Sequence, residues 1–357
     1  MNTAIFNVIL FLLGGFLAMY SVYRPVVNKS TQTLEPSLKF LPILYILPLY
    51  ALGAITAYFA ADTTDFVEPL NWWRIFAPLG FATLIYASSL FFGGVVFYLC
   101  VAIAVGVTVW LQPLGIGAPF ELPHIFVRLL VFAFALVFCL YSRIMNALPH
   151  TYVIPHILIL VGMLILAFIG AMPLYVALCA AVLAGVLAAY LSLNYYDVAV
   201  PLDDGACATV TYLLCALILM NLGEFCFPSC VIFTIIFWAE LVVALANRLF
   251  ISHSGYLSEN TYYYLAAQRH TLPVLVSNIV KIGIVLLFIA WFQLFSVNQY
   301  SLMIVALCLT IWLNGILGKG GAEASSFKEI NRAFVNDLKQ NFNDAKKLFT
   351  KNKKDDE

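Results

Sequence analysis

Long apolar runs, separated by short polar stretches, fill the chain from residue 4 to residue 317. A helix needs about 20 apolar residues to cross about 30 Å of hydrocarbon. Eleven runs approach or reach that length: 4–22, 41–60, 73–92, 94–112, 125–141, 155–170, 173–193, 207–222, 229–249, 273–294 and 299–317. The sixth is short, and its border with the seventh lies somewhere around Gly170 to Pro173. The runs are continuous and do not alternate as barrel strands would, so the pattern predicts an all-α polytopic membrane bundle of eleven transmembrane helices. The first run lacks the basic start and small-residue cleavage site of a secretory signal, and reads as a true span. No polar linker divides the runs, which predicts one membrane domain over 1–317 and a tail over 318–357.

Composition agrees with the pattern. Of 357 residues, 63% are hydrophobic and only 10% are charged, against about 25% charged in a soluble domain. Mean hydropathy is +0.97. A soluble enzyme, a disordered chain and a basic nucleic-acid binder are all excluded. Net charge is zero, from 18 bases and 18 acids, and the distribution carries more than the sum. Arg24, Lys29, Lys39, Arg143, Arg248, Arg269 and nine bases from Lys319 to Lys354 share one side if the spans alternate. Asp62, Asp65, Glu68, Glu121 and Glu224 collect on the other, with Arg74 and Arg128 at helix entrances. The positive-inside rule then puts the N-terminus outside and the C-terminus in the cytoplasm. In the tail, Phe327, Ile330, Phe334, Leu338, Phe342, Ala345 and Leu348 recur at helical spacing. That pattern fits a helix on an anionic leaflet, and equally a solvated basic tail.

Six of the eight cysteines lie in or beside apolar runs and read as small hydrophobes. Cys226 and Cys230 fall in the outer loop GEFCFPSC. An oxidising compartment would allow a disulfide there, and further zinc ligands are lacking. His124, His150 and His156 have no ligand spacing and read as helix-end residues. The 115–117 G-I-G follows no strand and is not a nucleotide fingerprint.

Candidate chemistry gathers on the basic side, whose substantial polar loops are 23–40, 142–154, 194–206 and 250–272. The segment from Asn194 to Ala206 reads N-Y-Y-D-V-A-V-P-L-D-D-G-A and holds Asp197, Asp203 and Asp204. A carboxylate pair beside a glycine turn suits Mg²⁺, which takes one or two carboxylates plus substrate phosphates. A turn whose acids simply face water reads the same way. Two charges lie inside spans. Glu240 and Arg248 are eight residues apart and share a helical face, while Lys281 either snorkels or pairs with Glu240. These charges mark a functional path or an ion pair that orients two helices.

The span count, the outside N-terminus and the four inner loops resemble the bacterial polyprenyl-phosphate N-acetylhexosamine-1-phosphate transferases, glycosyltransferase family 4. The MurNAc-pentapeptide translocases are cousins. The loop 194–206 is similar to the family's N-x-x-x-A-x-V-F-M-G-D-x-G-S, with Asn194 on the Asn, Val200 on the Val and Asp204 on the metal-binding Asp. Asp203 replaces the Gly before it, and Gly205 comes one place early. Span 9 and its loop resemble D-x-x-x-x-x-x-R-R-x-x-x-G-x-S-P-F-S-x-D-R-x-H-x-H-H. There Glu240 stands for the first Asp, Arg248 for the second Arg and Glu259 for the loop Asp, while Tyr262, Tyr264 and Leu265 occupy the His positions. The first inner loop keeps Pro25 and Pro36, with Lys29 one place past the family's Arg. Ala87, Ser88 and Ser89 stand where the family has an Asp pair, and Asn146 falls near the Asp after span 5.

The resemblance implies a cell-envelope enzyme of the bacterial inner membrane. It would move a sugar-1-phosphate from a UDP-sugar to undecaprenyl phosphate. It implies Mg²⁺ on Asp203 and Asp204, with Asp203, Asp204 and Asn146 as catalytic candidates. Asn194, Arg248, Glu259 and Lys29 would be substrate-binding, and a homodimer is an expected assembly. Such catalysis is mostly positioning and charge neutralisation. Losing the Asp pair and the loop histidines therefore predicts weakened or lost phosphotransfer, a pseudoenzyme at the extreme. Two other expectations stand beside it: a non-catalytic paralogue that binds a lipid carrier or a partner enzyme, and a membrane transporter.

Overall fold

The computed structural model describes residues 2–30, 41–60, 71–92, 94–114, 123–142, 149–194, 202–239, 241–242, 272–295 and 301–319. Among them there is no strand. The helices are α1 (Asn2–Ser30), α2 (Leu41–Ala60), α3 (Asn71–Phe91), α4 (Gly94–Leu111), α5 (His124–Ser142), α6 (Pro149–Phe168), α7 (Leu174–Leu193), α8 (Asp204–Leu219), α9 (Phe227–Phe233), α10 (Leu272–Gln293) and α11 (Ser301–Lys319). Six of them, α1 to α5 and α7, are long and apolar enough to cross a membrane, and four shorter apolar segments lie within α6, α8, α10 and α11. The protein is a multi-pass helical membrane protein.

Two helices form the centre. Burial covers 15 of the 20 residues of α7 and every residue of α8 after Asp204. Both are apolar on every side, the pattern of a helix with neighbours all round. α7 packs chiefly on α1, then on α6 and α2, while α8 packs on α3, α5 and α4. α10 joins α9, α6 and α11. The exposed apolar side chains lie on outer faces, among them Phe6, Leu17, Phe91, Trp110, Phe288 and Ile304, as lipid contact requires.

Small residues set the closest approaches. A Cβ on Gly185 of α7 would run into the Leu12 carbonyl of α1, and one on Gly15 would sit 2.8 Å from the Val182 carbonyl oxygen. Lipid tails are as apolar as leucine, so helices in a bilayer gain little from burial. They hold together by close backbone packing of this kind.

Three boundaries differ from the sequence expectation. α1 runs through Pro25 to Ser30, so Arg24, Pro25 and Lys29 are helical where a loop from residue 23 was expected. α6 begins at Pro149 and carries Pro155 inside it, which shortens the expected 142–154 loop. The ninth span is interrupted: α9 stops at Thr234 and the helix resumes over 235–239. The border between the sixth and seventh spans is a glycine C-cap. Gly170 sits at φ +76°, with Ala171 N–H donating to the Leu166 carbonyl and Gly170 N–H to the Ala167 carbonyl. This is the Schellman pattern, for which glycine avoids a Cβ penalty.

At one end of the bundle, Arg128 and Arg74 are accounted for by contacts. The Arg128 guanidinium donates to the carbonyls of Val109, Trp110 and Gln112, which close the C-terminal end of α4. It also stands 5.0 Å over the Trp110 ring. Arg74 hydrogen-bonds Tyr175, and Glu224 lies close by. A cation on a helix C-terminus is stabilised by the unpaired carbonyls there.

Candidate functional site

The opposite end of the bundle gathers the C-terminal ends of α1, α3 and α7 and the N-terminal ends of α2 and α8. Tyr23 of α1 lies with its ring 5.8 Å from Tyr45 of α2 and 6.1 Å from Tyr190 of α7. Its hydroxyl faces the Asn194 side chain, and the Tyr190 hydroxyl bonds the backbone of Leu202. Thus the end of α7 is tied to the start of α8 across the loop between them. Asn194 itself is buried as the C-cap of α7, and its amide donates to the Tyr190 carbonyl at 2.8 Å.

Asp203 and Asp204 play different parts. Asp203 is the N-cap of α8, in extended backbone, and its carboxylate accepts from the Ala206 N–H at 2.7 Å. An N-cap oxygen satisfies one of the amides that a helix start leaves unpaired. Asp204 is the first helical residue and is exposed at the bundle mouth. One of the Asp203 oxygens is therefore engaged in starting α8.

Gly205 brings α3 against this helix start. A Cβ there would collide with the Ser89 Oγ and would lie 3.7 Å from the Tyr86 ring. Of Ser88 and Ser89, the second adjoins Gly205 at the start of α8. Their hydroxyls turn back on their own helix, donating to the carbonyls of Ile85 and Tyr86, each at 2.7 Å. Lys29 lies in the last turn of α1. Asn146, Asp197, Glu240, Arg248 and Glu259 lie outside the described residues. Lys281 is exposed on α10, where its stem can run along the apolar surface toward the headgroups.

Among the described residues, no three His, Cys, Asp or Glu side chains stand together. Among the described residues of that stretch, Asp204 is the carboxylate with no capping role, and serine hydroxyls bonded to carbonyls are poor ligands for a hard dication.

A second polar cluster lies deep in the bundle, and it corrects the reading of His156 as a helix-end residue. With α6 beginning at Pro149, His156 is two turns inside it and fully buried. Its ring lies 4.2 Å from Tyr152 and 5.0 Å from Phe237. Tyr152 and Thr211 complete the cluster. Beside it, Thr108 of α4 and Tyr212 of α8 share a hydrogen bond of 2.7 Å. The sequence signal was the spacing: Tyr152 and His156, like Cys207 and Thr211, are four apart on one helical face. Cys226 and Cys230 are buried thiols beside each other, with the Cys226 thiol donating to Asn221 Oδ1 at 3.6 Å.

The two aspartates can be told apart by stability. Asp203→Ala should destabilise the protein by about 1 kcal/mol, while Asp203→Asn, which also caps, should cost only a few tenths. Asp204→Asn should be near neutral. Thermal unfolding in detergent measures all three, and equal losses for Asp203→Ala and Asp204→Asn would remove the cap assignment.

Comparison with protein-family models and with curated proteins finds no match for this chain.

Proposed function

We propose that this chain is a divergent relative of the polyprenyl-phosphate N-acetylhexosamine-1-phosphate transferases, with eleven spans, an outside N-terminus and weakened or lost phosphotransfer. The supporting observation is the meeting of Ser89 with Gly205 at the start of α8. It joins the two segments that the resemblance requires to adjoin, while the groups found there are spent on structure. Ser88 and Ser89 bond their own helix, and Asp203 caps α8. Among the described residues the Asp204 carboxylate is what remains at the mouth, and a single carboxylate gives little toward neutralising a transferring phosphoryl group.

The test uses purified full-length protein in nanodiscs with Mg²⁺, a UDP-N-acetylhexosamine and undecaprenyl phosphate. UMP release should not rise above that of protein-free discs, while native mass spectrometry should retain undecaprenyl phosphate on the protein. Robust UMP release that survives Asp204→Asn would overturn this reading of the site. Release abolished by that substitution would restore a working transferase. Failure to retain the lipid would remove the family reading.

A transporter is the second reading, favoured by the interruption of the ninth span at Thr234 beside a buried polar cluster. Broken helices at mid-membrane are where transporters place their sites. Proton flux across proteoliposomes under an imposed pH gradient separates the two.

A further inference from the structure

The cluster at His156 holds fewer hydrogens than its contacts require. His156 Nδ1 lies 2.7 Å from the Tyr152 carbonyl oxygen, and Nε2 lies 2.9 Å from Thr211 Oγ1. Thr211 Oγ1 is 2.8 Å from the Tyr152 hydroxyl, which donates to the Cys207 carbonyl oxygen at 2.6 Å. The chain thus begins and ends on backbone carbonyls, which only accept. Four contacts need four hydrogens. A neutral imidazole brings one, the threonine hydroxyl one and the tyrosine hydroxyl one. With the proton on Nδ1, two oxygens face each other without a hydrogen, either Thr211 against Tyr152 or Tyr152 against Cys207. With the proton on Nε2, the Nδ1 lone pair faces the Tyr152 carbonyl.

The imidazolium closes the count. Nδ1–H donates to the Tyr152 carbonyl, Nε2–H to Thr211, Thr211 to the Tyr152 hydroxyl, and Tyr152 to the Cys207 carbonyl. We propose that His156 is a proton-binding site in the core of the bundle, whose occupation completes a hydrogen-bonded chain joining α6 to α8. Burial opposes the charge, while the missing hydrogen favours it, so the site has two states. Occupied, it ties α6 to α8 through every contact. Empty, it must loosen one of them. The groups that face it are Tyr152 on α6, Thr211 and Cys207 on α8, Phe237 beyond α9, and Cys139 of α5 near Tyr152. None is charged, and no charged group among the described residues acts on the ring. The site is independent of the reading of the Asp204 end.

The experiment is nitrogen NMR of the full chain in nanodiscs with ¹⁵N-labelled histidine, titrated through the ordinary histidine range. The protein has five histidines, and the difference spectrum against His156→Gln assigns the buried ring. If that variant fails to fold, protection of the signal from solvent exchange assigns it instead. Both nitrogens of His156 should carry hydrogens at the acidic end and one should lose its hydrogen as pH rises. Tyr152→Phe is the decisive variant. It removes one hydroxyl and two contacts, leaving two hydrogens for two contacts with a neutral ring. It keeps the ring packing, yet proton occupancy should fall at least tenfold at a given pH, the effect of a hydrogen bond to a charged group. A bare nitrogen on His156 at every pH, or an unchanged titration in Tyr152→Phe, would overturn the proposal.

Discussion

Gly185→Val should separate α1 from α7 and leave little folded protein, and Gly185→Ala should already cost about 1–3 kcal/mol. A Cβ at this position meets backbone: the Leu12 carbonyl, with Phe16 N at 2.9 Å and Leu12 C at 3.1 Å. A flexible side chain could swing aside, but a helix backbone yields only by moving the whole helix. The contact is part of the most extensive helix pairing in the described structure, so its loss propagates along α1. Alanine would otherwise be preferred over glycine in a helix interior by about 1 kcal/mol. Gly14 supplies the control, because a Cβ there meets nothing within 4 Å. Gly14→Ala should be neutral or mildly stabilising. Thermal unfolding of the purified variants, with size-exclusion profiles, measures the contrast. Equal midpoints for Gly14→Ala and Gly185→Ala would mean that α1 and α7 are not in such close contact.

The second large effect concerns the meeting of α3 and α8. Gly205→Ala should cost about 1–3 kcal/mol by overpacking, because the new methyl group falls on Ser89. Removing the hydroxyl alone will not relieve it, since the Ser89 Cβ is also only 2.5 Å from that position. Ser89→Ala combined with Gly205→Ala should therefore remain destabilised. Ser89→Gly combined with Gly205→Ala should recover most of the loss, apart from the intrinsic cost of glycine in a helix. The coupling between the two sites, extracted from the double-mutant cycle, should be favourable for glycine and near zero for alanine at position 89. Additivity throughout would show that α3 does not press on the start of α8, and the juxtaposition behind the proposed function would go with it.

The membrane class and most helix positions were legible because the bilayer imposes a length and a composition on each span. The bounds of α2, α4, α5 and α7 fall within about two residues of the apolar runs that predict them. The misjudged boundaries have local causes. Arg24 and Lys29 marked the end of the apolar run of α1, but a helix continues past the hydrocarbon when nothing breaks it, and Pro25 does not. The sixth apolar run was placed from residue 155 on, whereas Pro155 sits inside α6. The break at Thr234 lies in an unbroken apolar run and leaves no mark in composition.

The candidate site was legible only as a list of residue types. Asp203 and Asp204 are adjacent and chemically identical, and sequence treats them as a pair. The backbone separates them: Asp203 is extended and its carboxylate turns to the Ala206 N–H, while Asp204 enters the helix and faces out. Ser88 and Ser89 likewise declare their neutrality in sequence, but not that their hydroxyls close on the carbonyls of Ile85 and Tyr86. The His156 cluster left only two i, i+4 spacings in the sequence, because its members come from α6 and α8, 55 residues apart along the chain.

By itself, then, the sequence determined the solvent of this protein and the helical form of its spans. These follow from hydrophobicity and helical period, which are properties of each segment alone. Only the tertiary structure decided which polar atoms are already partnered. A hydrogen bond depends on distance and direction between atoms that folding brings together. That is why Asp203 proves to be a cap, Asp204 an open carboxylate, and His156 the centre of a buried chain short of one proton.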